Sequence, residues 1–386
     1  MDIKALLEKA ALAGASDLHL RVDLPPVLRI DGRLVRQDAY PAITEEDAEH
    51  MLEQVTRQEQ RDRFYLDKEL DFAYVMDGLA RFRLNAMMQR NTISIACRML
   101  SLHVPSVDEL ELPQICKELI LQPRGLILVT GPTGVGKSTT MAAMVRHLNE
   151  SSECNVICIE DPIEYVHPNV KSIIAQRELG DDTRSFSAAL SHSLRHDPNV
   201  IVVGEMRDLD TISTAITAAE TGHLVMSTLH TTDASQTIDR LIDIFPPNQQ
   251  NQIRLQISQE IVAILSQTLL PRASGRGMVA AFEIVVANQA IRNLIRDSRT
   301  FEIPSYMHVH EGSGMQSLED ALAHLVLSGT VKREAALMKT SNPKRLQRML
   351  EEPHYHERFA RMRSAAANSV DAATRDEALP KAGGRL

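Results

Sequence analysis

Tryptophan is absent from this 386-residue sequence, and aromatic residues make up only 4% of it. Proteins that grip single-stranded nucleic acid stack bases on aromatic platforms, so this poverty argues against that class. Net positive charge is lacking too. The formal net charge is −9, whereas nucleic-acid binders present a basic surface, and no long Lys/Arg run occurs. The four cysteines, Cys97, Cys116, Cys154 and Cys158, form no CxxC pair. That argues against a metal site and leaves small core residues in a reducing compartment. No apolar run reaches the length of about 18 residues that a membrane-spanning helix needs. The opening MDIKALLEKAALAGASDLHL carries charges throughout and does not read as a signal peptide. These absences set the expectation of a soluble, cytoplasmic protein with no nucleic-acid partner.

Apolar residues make up 44% of the chain, enough for a sizeable core. At about 150 residues per domain, the length suits two domains. Residues 2–14 read as a short amphipathic helix closed by Gly14, because Ile3, Leu6, Leu7 and Ala10 share one face. Leu18, Leu20 and Val22 alternate as in a strand. Val27–Ile30 and Arg33–Val35 read as a hairpin across Asp31 and Gly32. Residues 44–64 read as one helix, and residues 72–75, 80–86 and 93–99 as strands. The first hundred residues therefore predict a small α+β domain. Residues 101–123, with Pro105, Pro113 and Pro123, read as a linker.

From Gly125 the texture changes. Apolar β runs at 126–130, 156–159, 200–203 and 224–229 alternate with helical stretches, which predicts a parallel sheet covered by helices over residues 124–272. Beyond Arg272 the pattern reads as helical to about residue 350. Ser317 and Asp320 form a capping signal there, and Gly329 a stop. Residues 351–386, rich in Ala, Ser and charge toward their end, read as a disordered tail.

The segment Gly131, Pro132, Thr133, Gly134, Val135, Gly136, Lys137, Ser138 matches GxxxxGK[ST] in full and is followed by Thr139. It lies between an apolar strand and a helix, the context in which this motif cradles phosphates. Its glycines let backbone N–H groups wrap an anion at a helix N-terminus. Lys137 is expected to reach the β- and γ-phosphates of ATP, and the Ser138 hydroxyl to hold Mg²⁺.

Two later strands end in acids. Residues 156–159 run into Glu160, Asp161 and Glu164, and residues 200–203 run into Glu205. Hydrolysis needs one group to orient or deprotonate water and a carboxylate to place the metal. Glu205 fits the first task. Gly204 occupies the place where many such enzymes carry an Asp, so Glu164 is the candidate for the second. Read alone, Glu160 and Asp161 serve equally well as solvated loop residues. His223 and His230 bracket the run 224–229, and a His after a strand can sense a γ-phosphate, although a structural hydrogen bond explains a lone His as well. Arg81 and Arg83 are two apart in a strand and share a face. If their strand neighbours the one bearing Arg98, three guanidinium groups line one side of a sheet. Spacing alone favours a solvated face for them.

Taken in order, the phosphate loop, IEDPIEYVH (159–167), VGEMRD (203–208) and ETGHLVMSTLHT (220–231) resemble the nucleotide-site boxes of the secretion-type ATPases of type II secretion and type IV pili. Within that superfamily, SDLHL (16–20), ARFRLNA (80–86) and the run Ala290, Ile291, Arg292, Asn293, Leu294, Ile295, Arg296, Asp297 resemble the pilus-retraction, or twitching-motility, ATPases. The resemblance covers roughly residues 1–340. It implies a PAS-like N-terminal domain, a RecA-like P-loop NTPase domain with a helical C-terminal part, and a homohexamer that hydrolyses Mg-ATP. It further implies an inner-membrane platform protein as partner, a paralogous retraction ATPase as a possible second one, and a place on the inner face of the inner membrane at the pilus base. It makes Glu205 the catalytic acid, with Glu160, Asp161, Glu164, His223 and His230 as nucleotide-site residues. Arg81, Arg83 and Arg98 become γ-phosphate contacts, and residues 290–297 an element needed for retraction rather than hydrolysis. Asp297 departs from the family's Glu, and the chain past residue 340 is reminiscent of the accessory retraction ATPase. The pilus-assembly and type II secretion ATPases usually carry a four-cysteine element that is missing here.

Overall fold

The computed structural model describes residues 1–30, 32–76, 79–100, 103–310, 314–352 and 355. Asp31 of the expected hairpin turn and all but the first few residues of the expected tail lie outside these. The chain folds as two compact units, residues 1–105 with 149–193 and residues 106–148 with 194–386.

In the first unit, strands β1 (Asp17–Arg21), β2 (Val27–Ile30), β3 (Arg33–Arg36), β4 (Glu69–Met76), β5 (Ala80–Gln89) and β6 (Thr92–Leu100) form one sheet in the order β3-β2-β1-β6-β5-β4. Every pairing is antiparallel. Alternation is strict where it matters. Phe82 and Leu84 of β5 are 1% and 0% exposed, while Arg81 and Arg83 face the other way. Helix Ile3–Leu12 buries Ile3, Leu6, Leu7 and Ala10 on the sheet, as its spacing predicts. The expected helix over 44–64 is two helices, Glu45–Val55 and Gln58–Asp67. Thr56 and Arg57 are extended between them, and the Thr56 hydroxyl donates to the Leu52 carbonyl. A β-branched hydroxyl residue that bonds the preceding turn ends the first helix, and Gln60 folds back to cap the second. Residues 149–193 of this unit contribute the parallel pair β8 (Asn155–Glu160) and β9 (Ile173–Glu178).

In the second unit, β7 (Gly125–Thr130), β10 (Val200–Val203), β11 (Leu224–Leu229), β12 (Ile261–Pro271) and β13 (Met278–Val286) run in the order β13-β12-β7-β11-β10. All pairings are parallel except β12 with β13. Every residue of β7, β10 and β11 is buried, as for strands covered on both faces. Helices Leu209–Glu220, Ala234–Asp243 and Pro247–Glu260 flank them. β13 corrects the helical reading of the segment just past Arg272, because its apolar residues pair along β12 instead of packing as a helix face. The helical part starts after it, with Gln289–Arg296, Ile303–Val309, Leu318–Leu327, Arg333–Leu337 and Pro343–Glu351. Ser317 caps Leu318–Leu327 by accepting from the Asp320 N–H, as its sequence predicts. The architecture is α/β: a PAS-like α+β domain, then a RecA-like P-loop NTPase domain with a helical C-terminal part.

Candidate active site

Parallel pairing aligns the carboxyl ends of the central strands. Thr130, at the end of β7, is level with Leu229 of β11 and Ser266 of β12. Val203 of β10 is level with Ser227. The phosphate loop, Glu205 and His230 therefore emerge along one edge of one sheet, the edge where open α/β folds place their ligands.

The loop turns on glycines at positive φ, namely Gly131 (140°), Gly134 (80°) and Gly136 (90°). At Gly131 an added Cβ would lie 2.4 Å from the Gln267 carbonyl, so only glycine fits. Helix Lys137–Ser151 opens directly from the loop, and its free N–H groups and dipole favour an anion there. Lys137 is 9% exposed, and its ammonium donates to the carbonyls of Gly131 (2.7 Å) and Pro132 (3.1 Å). Burial lowers its pKa, and the Glu205 carboxylate opposes that shift.

Glu205 follows β10. Its Oε1 lies 2.6 Å from Arg207 Nε and its Oε2 lies 3.4 Å from His230 Nε2. The Thr228 hydroxyl donates to the Gly204 carbonyl at 2.6 Å, and the Met206 N–H donates to the Thr228 carbonyl at 3.2 Å. Both bonds fix Glu205 between β10 and β11. His223 occupies the opposite end of β11. Its Nδ1 is 2.9 Å from the Ala218 carbonyl and 3.2 Å from Thr221 Oγ1. A strand rises about 3.3 Å per residue, so seven residues set the two histidines roughly 20 Å apart. His223 closes the turn after helix Leu209–Glu220, at the other end of β11 from His230.

Arg81, Arg83, Arg98, Glu160, Asp161 and Glu164 sit in the first unit. Arg83 and Arg98 stand directly opposite each other on β5 and β6, so the three arginines do share one sheet face. Each is paired with a carboxylate of its own chain. Arg83 lies 3.7 Å from Asp71, and Arg98 lies 2.9 Å from Asp17. Arg81 lies 2.6 Å from Glu178, and both side chains of that pair are close to fully buried. Glu178 Oε2 also accepts from the Ile163 N–H at 3.1 Å. Arg81, Glu178, Arg57 and Arg63 line a cavity of about 540 Å³. Glu160 is pushed up to about 7 by burial, against a hydrogen bond from Gln176 at 2.9 Å. Gln176 also donates to the Tyr165 carbonyl (2.8 Å) and accepts from the His167 N–H (2.9 Å), so one amide shapes the 160–167 segment that carries Asp161 and Glu164. Gln176 and Glu178 belong to β9, which sequence reasoning missed. The paired isoleucines Ile173 and Ile174 were its only signal.

Helix Gln289–Arg296 is capped by Asn288, which accepts from the Ala290 and Ile291 N–H groups at 3.0 Å each. Ile291 and Ile295 are buried, and Leu294 is half-buried. Arg292 and Arg296 part company. The Arg292 guanidinium donates to the carbonyls of Ser258, at 2.9 Å, and Gln259, at the end of helix Pro247–Glu260. Arg296 stays at the surface with Asn293 (2.7 Å) and Asp297 (3.6 Å).

Comparison with known proteins identifies the family. The family model described as type II/IV secretion system protein matches residues 1–335. The chain is 44% identical over 343 residues to the type IV pilus retraction ATPase PilT of Pseudomonas aeruginosa, covering 89% of this chain and 99% of that protein. It is 37% identical over 350 residues to the type IV pilus ATPase PilU of the same organism, covering 91% of each. A crystal structure of the pilus retraction motor PilT with bound ADP superposes with a TM-score of 0.85 at 43% identity, covering 90% of this chain and 99% of that one.

Proposed function

The chain belongs to the type II/IV secretion ATPase family, and from that premise we propose that it is a Mg-ATP-hydrolysing motor that powers retraction of a type IV pilus. The observation that carries the reading is the convergence of an intact phosphate loop, Glu205 and His230 on one edge of a parallel sheet. The likeness along nearly the whole length of PilT supports retraction as the work performed.

The residues fit a nucleotide and a metal. The loop glycines bring backbone N–H groups to an open edge, where a Cβ on Gly134 would meet nothing within 4 Å. Residues 131–139 wrap the phosphates, and Lys137 leaves the two loop carbonyls to meet the β- and γ-oxygens. The Ser138 hydroxyl would hold Mg²⁺, with Glu164 and Glu205 as candidate carboxylates to orient it, and the ion would neutralise charge on the phosphates. Glu205, held by Arg207 and His230, orients the attacking water and receives its proton. His230 lies close enough to Glu205 to report the γ-phosphate. Glu160 and Asp161 complete the acidic segment. The resemblance to the retraction ATPases keeps Arg81, Arg83 and Arg98 as candidate γ-phosphate contacts.

We place a PAS-like domain at residues 1–100, a linker at 101–123, an ATPase core at 124–272, of which 149–193 pack in the first unit, and a helical C-terminal part at 273–350. The assembly is a homohexamer on the cytoplasmic face of the inner membrane, against a pilus platform protein. Among the described residues no helix is long and apolar enough to cross a membrane. A second reading, an accessory retraction ATPase, draws on helix Pro343–Glu351, which packs on Leu318–Leu327, and on the likeness to PilU.

Expression in a Pseudomonas aeruginosa strain lacking PilT tests the proposal. Restored twitching with the wild-type chain, and none with Lys137→Ala, is expected. Pili that stay extended with both would overturn it, and twitching restored in a strain lacking PilU but not in one lacking PilT would select the accessory reading.

A further inference from the structure

Gln267 is a polar side chain, 4% exposed, in the middle of an apolar strand, and both ends of its amide are hydrogen-bonded. Its Nε2 donates to the Val135 carbonyl at 2.6 Å, and its Oε1 accepts from the Thr140 hydroxyl at 2.8 Å. The amide orientation follows from chemistry, because a carbonyl accepts only from the NH₂ end. Val135 lies inside the phosphate loop and Thr140 lies in the first turn of the helix that leaves it. One side chain thus bridges the loop and its helix.

The surroundings are built around this bridge. Gly136, between the two contacts, would place a Cβ 3.2 Å from Gln267 Nε2. Gly131 would place one 2.4 Å from the Gln267 carbonyl. The main-chain carbonyl of Gln267 thus excludes a side chain at Gly131, and a Cβ at Gly136 would crowd the Gln267 amide. One residue earlier, the Ser266 hydroxyl accepts from Thr130 at 3.0 Å, also buried. β12 so grips the loop where it enters, at Thr130 and Gly131, and where it leaves, at Val135 and Thr140.

We propose that Gln267 is a positioning residue for the phosphate loop, which holds the loop's N–H groups in the nucleotide-binding shape by clamping Val135 to Thr140. The inference rests on the phosphate loop's binding ATP, as set out above. Gln267 itself touches no substrate. Its value lies in prepaid geometry: phosphate groups are bound by several convergent donors, and a small displacement of those donors is costly.

Gln267→Met keeps length and volume but removes both hydrogen bonds, so the strand still packs. Thr140→Val removes only the Oε1 side of the clamp. The full-length proteins are compared by Mg-ATP and ADP affinity, by kcat and KM, and by amide hydrogen exchange of residues 131–140 without nucleotide. Gln267→Met is expected to weaken nucleotide binding roughly tenfold, with KM rising alongside, and Thr140→Val to do less. Exchange should quicken in residues 131–140 while the rest of the second unit stays protected. Nucleotide affinity within twofold of wild type, with exchange unchanged, would overturn the proposal. Faster exchange spread over the whole unit at unchanged affinity would also overturn it, since Gln267 would then be a packing residue only. The exchange readout needs no nucleotide. A wild-type chain that binds no ATP therefore sinks the motor reading, and the clamp is still judged by its exchange.

Discussion

At the scale of single residues, what a short motif dictates was readable and what a distant partner dictates was not. Lys137 and Ser138 stand in a motif whose meaning is local, and Glu205 follows an unmistakable buried strand, Val200–Val203. Lys137→Ala should abolish turnover, as a single-turnover assay with radiolabelled ATP would reveal, because no other ammonium replaces the one buried under the loop. Gln267 and the Arg81–Glu178 pair were invisible, since these partners lie more than 90 residues apart in sequence. Glu283 was hidden by a partner 49 residues away. Its carboxylate accepts from the Ala234 N–H at 2.8 Å, and burial raises its pKa to about 7 from 4.5, with Asp233 and Glu319 adding to the rise. An acid whose folded pKa is raised holds its proton longer in the folded state. Stability therefore falls as pH climbs from about 4.5 through about 7. Glu283→Gln keeps an acceptor for Ala234 and removes the charge. Urea melts at pH 5 and pH 8 should show the variant gaining on the order of 2 kcal/mol over wild type between those values. Parallel curves would mean that Glu283 does not titrate in this window.

At the scale of elements, strands buried on both faces announced themselves, while β9, β12 and β13 did not. β9 is half-exposed and gives little alternation. β12 begins at Ile261, the residue that closes helix Pro247–Glu260, so helix and strand share one unbroken run without a turn signal. β13 contains MVAAFEIVV, whose short apolar run fits either state until a partner strand is known. The split of 44–64 turned on Thr56, whose hydroxyl bond no periodicity reveals. Arg292 shows the same limit. Its helix read as an amphipathic surface element, yet its guanidinium meets the last carbonyls of helix Pro247–Glu260. A cation there is favoured by the helix dipole and by charge-assisted hydrogen bonds. Arg292→Ala should lower stability by about 1–2 kcal/mol, read as a shift in the thermal midpoint, and Arg292→Lys should recover part of it. An unshifted midpoint for Arg292→Ala would return this residue wholly to a partner surface.

At the scale of the whole molecule, the two units carry different parts of the proposed machine. The second holds the phosphate loop, Glu205, His230 and the 290–297 helix. The first holds the arginine face, the acidic 160–164 segment and the cavity beside Arg81 and Glu178. Domain order and fold class were legible because texture changes at Gly125, from grouped strands to strands alternating with helices. That residues 149–193 pack with the first hundred was not legible, because no local pattern encodes which of two cores a segment joins. In the proposed machine this chain is itself the motor enzyme, with Glu205 as its catalytic acid. The deciding experiment is steady-state Mg-ATP hydrolysis by the purified protein beside Glu205→Gln. Turnover by the wild-type chain is expected, with a fall of at least about 100-fold in the variant and ATP affinity retained. ATP bound but not turned over by the wild-type chain, or turnover undiminished by Glu205→Gln, would contradict it.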